Sequence, residues 1–153
     1  MTIGDKLKPF NAKDQNGNTI EINLLVKNKP FVVYFYPKNF TSGCTKEACE
    51  FRDRNDEFQN LGAEVIGISG DSEQSHDRFA RKYNLPFTLL SDREGKIRKL
   101  FGVKKNLLGL IPGRETFVFD DTGKLAFRYN SMDATSHIRK ALKIVREISE
   151  LKN

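Results

Sequence analysis

The amino-acid sequence predicts an α/β protein with a mixed central sheet and helices on both faces. Two observations support this fold class. Apolar runs of strand length alternate along the chain with stretches of helical periodicity, the pattern produced when strands are connected through helices. One run, FVVYFY at residues 31–36, is apolar or aromatic throughout and bounded by prolines, as expected for a central strand buried on both faces.

The predicted strands begin with an N-terminal β-hairpin over residues 11–23. Asn16-Gly17 is a two-residue turn signal between its alternating halves. Buried strands are then predicted at residues 31–36, 63–69, 88–92 and 115–120. After the last of these, Asp121-Thr122-Gly123 turns the chain into KLAFRYN, its antiparallel partner.

Helices are predicted between and after these strands, over residues 45–60, 72–83 and 134–150. Each places apolar residues on one face, and Asp71 or Ser72 is suited to cap the second helix. The basic run GKIRKLFGVKK, residues 95–105, also interleaves apolar residues at helical spacing, so we interpret it as a helix with a solvated basic face.

Composition narrows the class of protein. A length of 153 residues suits a single domain spanning residues 1–153, and a hydrophobic fraction of 38% is ordinary for a globular protein. The net charge of +6 could attract an acidic partner, but solvated helix faces explain it, and we expect no nucleic-acid partner. We also expect no membrane span and a cytoplasmic location, because long apolar runs and a secretory signal pattern are missing.

The two cysteines of the chain, Cys44 and Cys49, both lie in PKNFTSGCTKEAC. They are too few for a disulfide-stapled secreted fold or for a four-cysteine zinc site. The histidines, His76 and His137, lie far from them in sequence, so we expect neither a metal nor another cofactor. The thiols are then either buried apolar groups or participants in redox or nucleophilic chemistry.

The position of Cys44 favours chemistry. It follows the predicted central strand and begins a helix, and ligands of α/β sheets bind beyond the carboxyl ends of strands. A helix N-terminus favours an anion such as a thiolate. Thr41, three residues earlier, could bring its hydroxyl to the sulfur or to a bound oxygen. Gly43 would permit a backbone conformation that larger residues resist, and Pro37 would stiffen the exit from the strand.

Cys49 poses a geometric problem. Residues five apart on an ideal helix have Cα atoms roughly 8.7 Å apart, whereas disulfides rarely bridge more than about 7 Å. Either Cys49 is inert, or the first turns of the helix unwind during a reaction.

A family resemblance covers nearly the whole chain. PKNFTSGC resembles the Pro-x-x-x-Thr-x-x-Cys signature of peroxiredoxins, thiol peroxidases with a thioredoxin-like fold, and the cysteine spacing resembles the peroxiredoxin Q, or bacterioferritin comigratory protein, branch. GDKLKPFNAKDQNGNTIEI is similar to the N-terminal hairpin of the family, with Lys8 where alanine is usual. GRETFVFDDTGK resembles the segment that carries the family's active-site arginine, here Arg114.

The resemblance implies roles for the two thiols and the arginine. Cys44 would be the peroxidatic cysteine, which attacks a peroxide and becomes a sulfenic acid. Arg114 would stabilise the thiolate and the charge on the leaving oxygen. Cys49 would be the resolving cysteine, which forms an intramolecular disulfide with Cys44.

Further roles follow from the same resemblance. Thr41 and the backbone amides of Gly43 and Cys44 would hold the peroxide, Pro37 would shield the thiolate from water, and Glu47 would touch the arginine. The substrates would be hydrogen peroxide and organic hydroperoxides, and thioredoxin or a similar dithiol would be the reductant. The family resemblance favours a monomer.

Two other functions stay open on the sequence. A disulfide oxidoreductase usually has Cys-x-x-Cys, whereas four residues separate the thiols here. A basic thioredoxin-like domain could instead bind nucleic acid or an acidic partner without peroxidase turnover, and salt-dependent nucleic-acid binding would reveal it.

Overall fold

Strands are interspersed with helices along the chain in the computed structural model, which describes residues 1–106 and 111–151. The strands are β1 (Asn11–Asp14), β2 (Thr19–Glu21), β3 (Phe31–Phe35), β4 (Glu64–Ser69), β5 (Thr88–Ser91), β6 (Lys105–Asn106), β7 (Ile111–Pro112), β8 (Glu115–Phe119) and β9 (Leu125–Asn130). The helices are α1 (Ile22–Leu25), α2 (Ser42–Asp53), α3 (Asn55–Asn60), α4 (Glu73–Tyr83), α5 (Lys96–Phe101) and α6 (Ala134–Leu151). The predicted domain also includes residues 107–110, 152 and 153, which lie outside the described residues.

The main sheet has the order β2-β1-β5-β4-β3-β8-β9, and β6 and β7 form a separate short pair. β3 pairs in parallel with β4, and β4 with β5. The remaining neighbours, including β3 with β8, are antiparallel. The predicted mixed sheet is therefore confirmed, with FVVYFY supplying its central strand.

Both faces of the sheet are covered by helices, as predicted. Val32 and Tyr34 of β3 pack into one apolar cluster with residues of α2, α4 and α6. Val33 and Phe35, which alternate with them, pack into a second cluster with residues of α1 and α5. Because the aromatic side chains of β3 are buried in these clusters, they are not available to stack on nucleic-acid bases.

The N-terminal hairpin is confirmed, but its turn is longer than predicted. Asp14 pairs with Asn18 at the end of the ladder, so the loop has three residues, and only Gly17 among them has a positive φ, 80°. Asp14 Oδ1 accepts hydrogen bonds from the amides of Asn16 and Asn18, both at 2.9 Å. A two-residue turn of the expected kind needs two left-handed residues, whereas this turn needs one glycine. The last residues of the predicted hairpin belong to α1.

The predicted helix over residues 45–60 is two helices. α2 begins earlier, at Ser42, and ends where Arg54 leaves helical geometry with φ −102° and ψ 6°, before α3. The segment contains neither proline nor glycine to mark this break. Phe51 and Phe58 are both buried, so the predicted apolar face is right although the helix is divided.

The other helices follow their predicted ranges more closely. Ser72 caps α4 by accepting from the amide of Ser75, and α6 buries its predicted apolar stripe. The basic run at residues 95–105 is helical only over α5, because Gly102, with φ 70°, ends the helix. Across the described residues, no helix combines the length and apolar character needed to cross a membrane.

Candidate active site

Cys44 lies in the first turn of α2, just beyond the C-terminal end of the central strand β3. The N-cap residue is Thr41, whose carbonyl accepts the first helical hydrogen bond from the amide of Thr45 at 2.9 Å. The amides of Gly43 and Cys44 therefore have no acceptor within the helix. Cys44 is a free thiol that is 1% exposed, and these amides, with the positive end of the helix dipole, favour an anion beside it.

Arg114 reaches this thiol from the start of β8, although 70 residues separate the two in sequence. Its Nη2 donates to Sγ of Cys44 at 3.4 Å, and its Nη1 donates to Oε1 of Glu47 at 2.6 Å. The arginine is 3% exposed. A buried guanidinium that contacts the sulfur stabilises negative charge there more strongly than an exposed one would.

Gly43 makes room for this guanidinium. A Cβ at residue 43 would lie 3.1 Å from Nη2 of Arg114, tighter than ordinary contact. The predicted reason for this glycine, an unusual backbone conformation, is wrong, because Gly43 lies within α2 and its φ is not positive. The glycine is needed instead for the close approach of the arginine.

Glu47 lies one turn after Cys44 and is completely buried. Burial raises its pKa to about 8, although Arg114 opposes this shift. Its second oxygen, Oε2, has no hydrogen-bond partner among the described residues, and lies 3.9 Å from Nδ1 of His137. Cys44 and Glu47 thus share the donors and the positive charge of Arg114. The predicted contact of Glu47 with the arginine is present.

His137 braces the back of this cluster from α6. Its Nε2 lies 2.7 Å from the carbonyl of Ser131, so Nε2 carries the proton and donates to that oxygen. In the neutral ring Nδ1 is then an acceptor, and the Thr116 hydroxyl donates to it at 2.7 Å. Burial lowers the pKa of His137 to about 4, so the ring is neutral at pH 7.

The contribution of the buried His137 to the free energy of unfolding should depend on pH. Its pKa is about 4 in the folded protein and near 6.5 in the unfolded chain, so the unfolded chain binds the proton first. The stability advantage of the native protein over a His137→Gln variant should therefore be full above pH 6.5. It should shrink by about 3 kcal/mol as the pH falls to 4. Urea unfolding at a series of pH values measures this difference.

The comparison with the variant is needed because Glu47 changes the free energy of unfolding with pH in the opposite direction to His137. Its raised pKa destabilises the fold progressively as the pH rises from 4.5 to about 8. The two trends offset each other in the native protein alone, whereas the difference between native protein and His137→Gln isolates the histidine. A difference that stays constant from pH 7 to pH 4 would contradict a neutral, buried His137.

Thr41 and Pro37 flank the thiol on the loop between β3 and α2. The Thr41 hydroxyl donates to the carbonyl of Lys38 at 2.8 Å, so it does not donate to the sulfur. The hydroxyl oxygen can still accept a hydrogen bond through its lone pairs, and the side chain is exposed to solvent. Pro37 is half-buried between strand and loop.

Asn39 anchors the same loop, and the sequence interpretation missed it. Its amide donates to Asp71 at 2.9 Å, and its side-chain amide contacts Ser75 and Nδ1 of His76. The Tyr36 hydroxyl donates to Oδ1 of Asn39 at 2.6 Å. One signal could have predicted this: Asn39 and Asp71 follow two neighbouring parallel strands, whose carboxyl ends meet at the same sheet edge.

The anchored loop holds Phe40 in an unusual conformation. Its φ is 65°, in the left-handed region that a bulky side chain rarely adopts. The side chain is 45% exposed, and its ring meets the edge of Phe79 with centroids 5.1 Å apart. The contacts of Asn39 on one side and the start of α2 on the other maintain this conformation.

Cys49 lies further along the same unbroken helix and is half-buried and free. One turn later, Nη1 of Arg52 donates to the carbonyl of Tyr83 at 2.8 Å and ties α2 to the end of α4. The structure therefore brings Cys44, Glu47 and Arg114 together, while Cys49 stays apart from Cys44 by the geometry of the helix.

Comparison with known proteins gives a consistent picture. Residues 3–128 match the AhpC/TSA family. The chain is 49% identical over 149 residues to a chloroplastic peroxiredoxin Q of Sedum lineare, covering 97% of this chain and 80% of that protein. It is 49% identical over 140 residues to a chloroplastic peroxiredoxin Q of Triticum aestivum, covering 91% of this chain and 64% of that protein. The chain thus spans 80% of the length of the first of these relatives and 64%, less than two thirds, of the second.

Solved structures agree with the sequence relatives. The fold superposes on peroxidoxin BcpB from Mycobacterium tuberculosis with a TM-score of 0.87 and 40% identity, covering 97% of this chain and 98% of that one. A cysteine-to-serine mutant of PrxQ from Xylella fastidiosa gives a TM-score of 0.88 at 28% identity, with 96% of each chain covered.

Proposed function

Because this chain belongs to the AhpC/TSA family and to its peroxiredoxin Q branch of thiol peroxidases, we propose that it reduces hydrogen peroxide and organic hydroperoxides through Cys44. The observation that carries this assignment is the contact between Nη2 of Arg114 and Sγ of Cys44, 3.4 Å, at the start of a helix. A thiolate in this position has a guanidinium and the first-turn amides of α2 around it, and these groups also stabilise the charge that develops on the leaving oxygen.

The proposed peroxide step is a displacement at oxygen. The Cys44 thiolate attacks one peroxide oxygen, the S–O bond forms, and the O–O bond breaks. The other oxygen leaves with the electron pair and takes up a proton to become water or an alcohol. Arg114 and the amides of Gly43 and Cys44 stabilise the departing oxygen, and the Thr41 hydroxyl accepts a hydrogen bond from the peroxide. Pro37 limits the access of water to the sulfur.

The proposed resolution and recycling use Cys49. Its thiolate attacks the sulfur of the Cys44 sulfenic acid, an S–S bond forms, and the oxygen leaves as water after protonation. Thioredoxin, or a similar dithiol, then reduces the disulfide by thiol–disulfide exchange and becomes oxidised itself. We also propose that the protein is a monomer and that it works in the cytoplasm, where reducing dithiols keep both thiols available.

The activity is tested by peroxide consumption in the presence of thioredoxin, thioredoxin reductase and NADPH. The proposal expects many peroxides consumed per protein molecule and a matching oxidation of NADPH. Protein that reacts once and then stops under these conditions would retain the peroxide chemistry but reject thioredoxin as reductant. Protein that does not react even once with peroxide would reject the function.

Arg114→Lys should slow the peroxide step by about 100-fold. Lysine keeps the positive charge, but it lacks the planar fork that reaches Cys44 and Glu47 together. The measurement is the rate at which peroxide consumes the reduced protein, followed by rapid quenching and mass spectrometry. Arg93→Lys, at an exposed position, is the matched control and should react like the native protein. An unchanged rate of reaction with peroxide in Arg114→Lys would show that the role of Arg114 is purely structural.

A further inference from the structure

Arg98 links the two backbone segments from which the active site is built. Its Nη1 donates to the carbonyl of Gly113 at 3.1 Å, and its Nη2 donates to the carbonyl of Tyr36 at 3.4 Å. Gly113 immediately precedes Arg114, and Tyr36 immediately precedes the loop that begins at Pro37 and leads to Cys44. One half-buried guanidinium thus contacts the residue that precedes each of the two segments of the site, the loop from Pro37 to Cys44 and the segment that begins at Arg114.

This contact lies just beyond the end of the ladder that pairs β3 with β8. The antiparallel ladder of β3 and β8 ends at the pair Phe35 and Glu115. Beyond that pair the chains diverge, one toward α2 and the other toward the β6–β7 pair. The guanidinium of Arg98 donates to one carbonyl of each segment beyond the pair Phe35 and Glu115. Its central carbon lies 5.5 Å from the ring centroid of Phe35.

Arg98 is itself held in place. The carboxylate of Asp92 accepts from the amides of Ile97 and Arg98, at 3.0 and 2.9 Å, and so caps the start of α5. Ile97 and Phe101 are buried and fix the helix against the sheet. The prediction of a solvated basic face is right for Lys96 and Lys99, which are exposed, and wrong for Arg98.

We propose that Arg98 is a positioning residue that sets the separation between the Arg114 guanidinium and the Cys44 sulfur. It acts by holding the carbonyls of Tyr36 and Gly113 with its planar fork, which a lysine ammonium would not span in the same way. The carbonyl of Arg114 accepts from the amide of Ser131 at 3.2 Å, so Arg98 and Ser131 fix this segment from two sides. This inference rests on the proposed role of Arg114 at the peroxide step.

The expected result is a slower peroxide step with an unchanged recycling step. Arg98→Met should lower the rate of sulfenic acid formation by about 10- to 100-fold, since small displacements of a catalytic group have effects of this size. Arg98→Lys should give an intermediate rate. The rate at which thioredoxin reduces the oxidised variant should match the native protein, because that step does not need Arg114 beside Cys44. Lys99→Met, an exposed neighbour on α5, is the matched control and should leave both rates unchanged.

A double-mutant cycle with Arg114→Lys separates positioning from general destabilisation. If Arg98 acts through Arg114, Arg98→Met should change the peroxide rate by less than about threefold in the Arg114→Lys background, because coupled effects do not add. Additive effects, or a native peroxide rate in folded Arg98→Met, would overturn the inference. If Arg98→Met does not fold, a native peroxide rate in Arg98→Lys would overturn it equally. An Arg114→Lys variant with the native rate would instead count against the proposed function of Arg114, and with it against any positioning role.

Discussion

Cys44→Ser should abolish peroxidase turnover, lowering it by at least about 10⁴-fold, as removal of an essential nucleophile does in other enzymes. A serine hydroxyl stays protonated at neutral pH even at a helix N-terminus, and it cannot take up and release oxygen as sulfur does. Arg114 and the first-turn amides of α2 would remain, but they cannot act as a nucleophile. Peroxide consumption with thioredoxin and its reductase measures the effect.

The fold of this variant should be retained, which makes the result specific. Serine is slightly smaller than cysteine, and the site is already lined by polar groups from Arg114 and Glu47. Urea unfolding and the circular dichroism of Cys44→Ser should therefore stay close to those of the native protein. A folded Cys44→Ser protein that keeps most of its activity would remove Cys44 from the reaction and would leave Cys49 as the remaining thiol to explain it.

The parts of the fold that the sequence predicted are those governed by local pattern. The strand at residues 31–36 is buried on both faces, and its composition alone indicates that. The break at Arg54 between α2 and α3 has no such local signal, because neither glycine nor proline marks it. The hairpin turn differs from the prediction for a related reason: the side chain of Asp14, which lies outside the Asn16-Gly17 dipeptide, stabilises a three-residue loop.

The residues of the candidate site likewise fall into those that local sequence pattern predicts and those that it does not. The position of Cys44 follows from a strand end and a helix start, which are local features. The contacts of Arg114 with Cys44 and Glu47 join residues about 70 positions apart, and only the family resemblance indicated them in advance. The supporting residues, Asn39, Arg98 and His137, act through backbone carbonyls, buried amides or neighbouring side chains that no motif records. Their partners become visible only once the sheet and helices are assembled.

Cys49→Ser should still react once with peroxide but should not turn over. With the resolving thiol gone, the Cys44 sulfenic acid has no neighbour to attack it and stays open to further oxidation. Turnover with thioredoxin should fall by at least about 100-fold, because an intramolecular step is replaced by a bimolecular one. Intact mass after a single addition of peroxide should show one added oxygen in Cys49→Ser. In the native protein it should show the loss of two hydrogens that marks a disulfide.

That disulfide requires α2 to open. The helix is continuous from Ser42 to Asp53 and contains both thiols, whose Cα atoms are roughly 8.7 Å apart on an ideal helix. The C-terminal part of α2 is held by Phe51, which is fully buried, and by the hydrogen bond from Arg52 to the carbonyl of Tyr83. Unwinding should therefore be confined to residues 44–50, and it must break the buried contact between Glu47 and Arg114.

Hydrogen exchange on the reduced and the peroxide-treated protein tests this directly. We expect the amides of residues 44–50 to lose protection in the disulfide form, while α4 and α6 stay protected. Peroxide-treated Cys49→Ser is the matched control, because it is oxidised at Cys44 but has no second thiol to pull the helix open, so its α2 should stay protected. Equal protection of residues 44–50 in the reduced and the oxidised native protein, together with full thioredoxin-dependent turnover of Cys49→Ser, would exclude Cys49 from the cycle. Resolution would then require a thiol from another molecule, and α2 would remain a rigid support for Cys44 throughout the reaction.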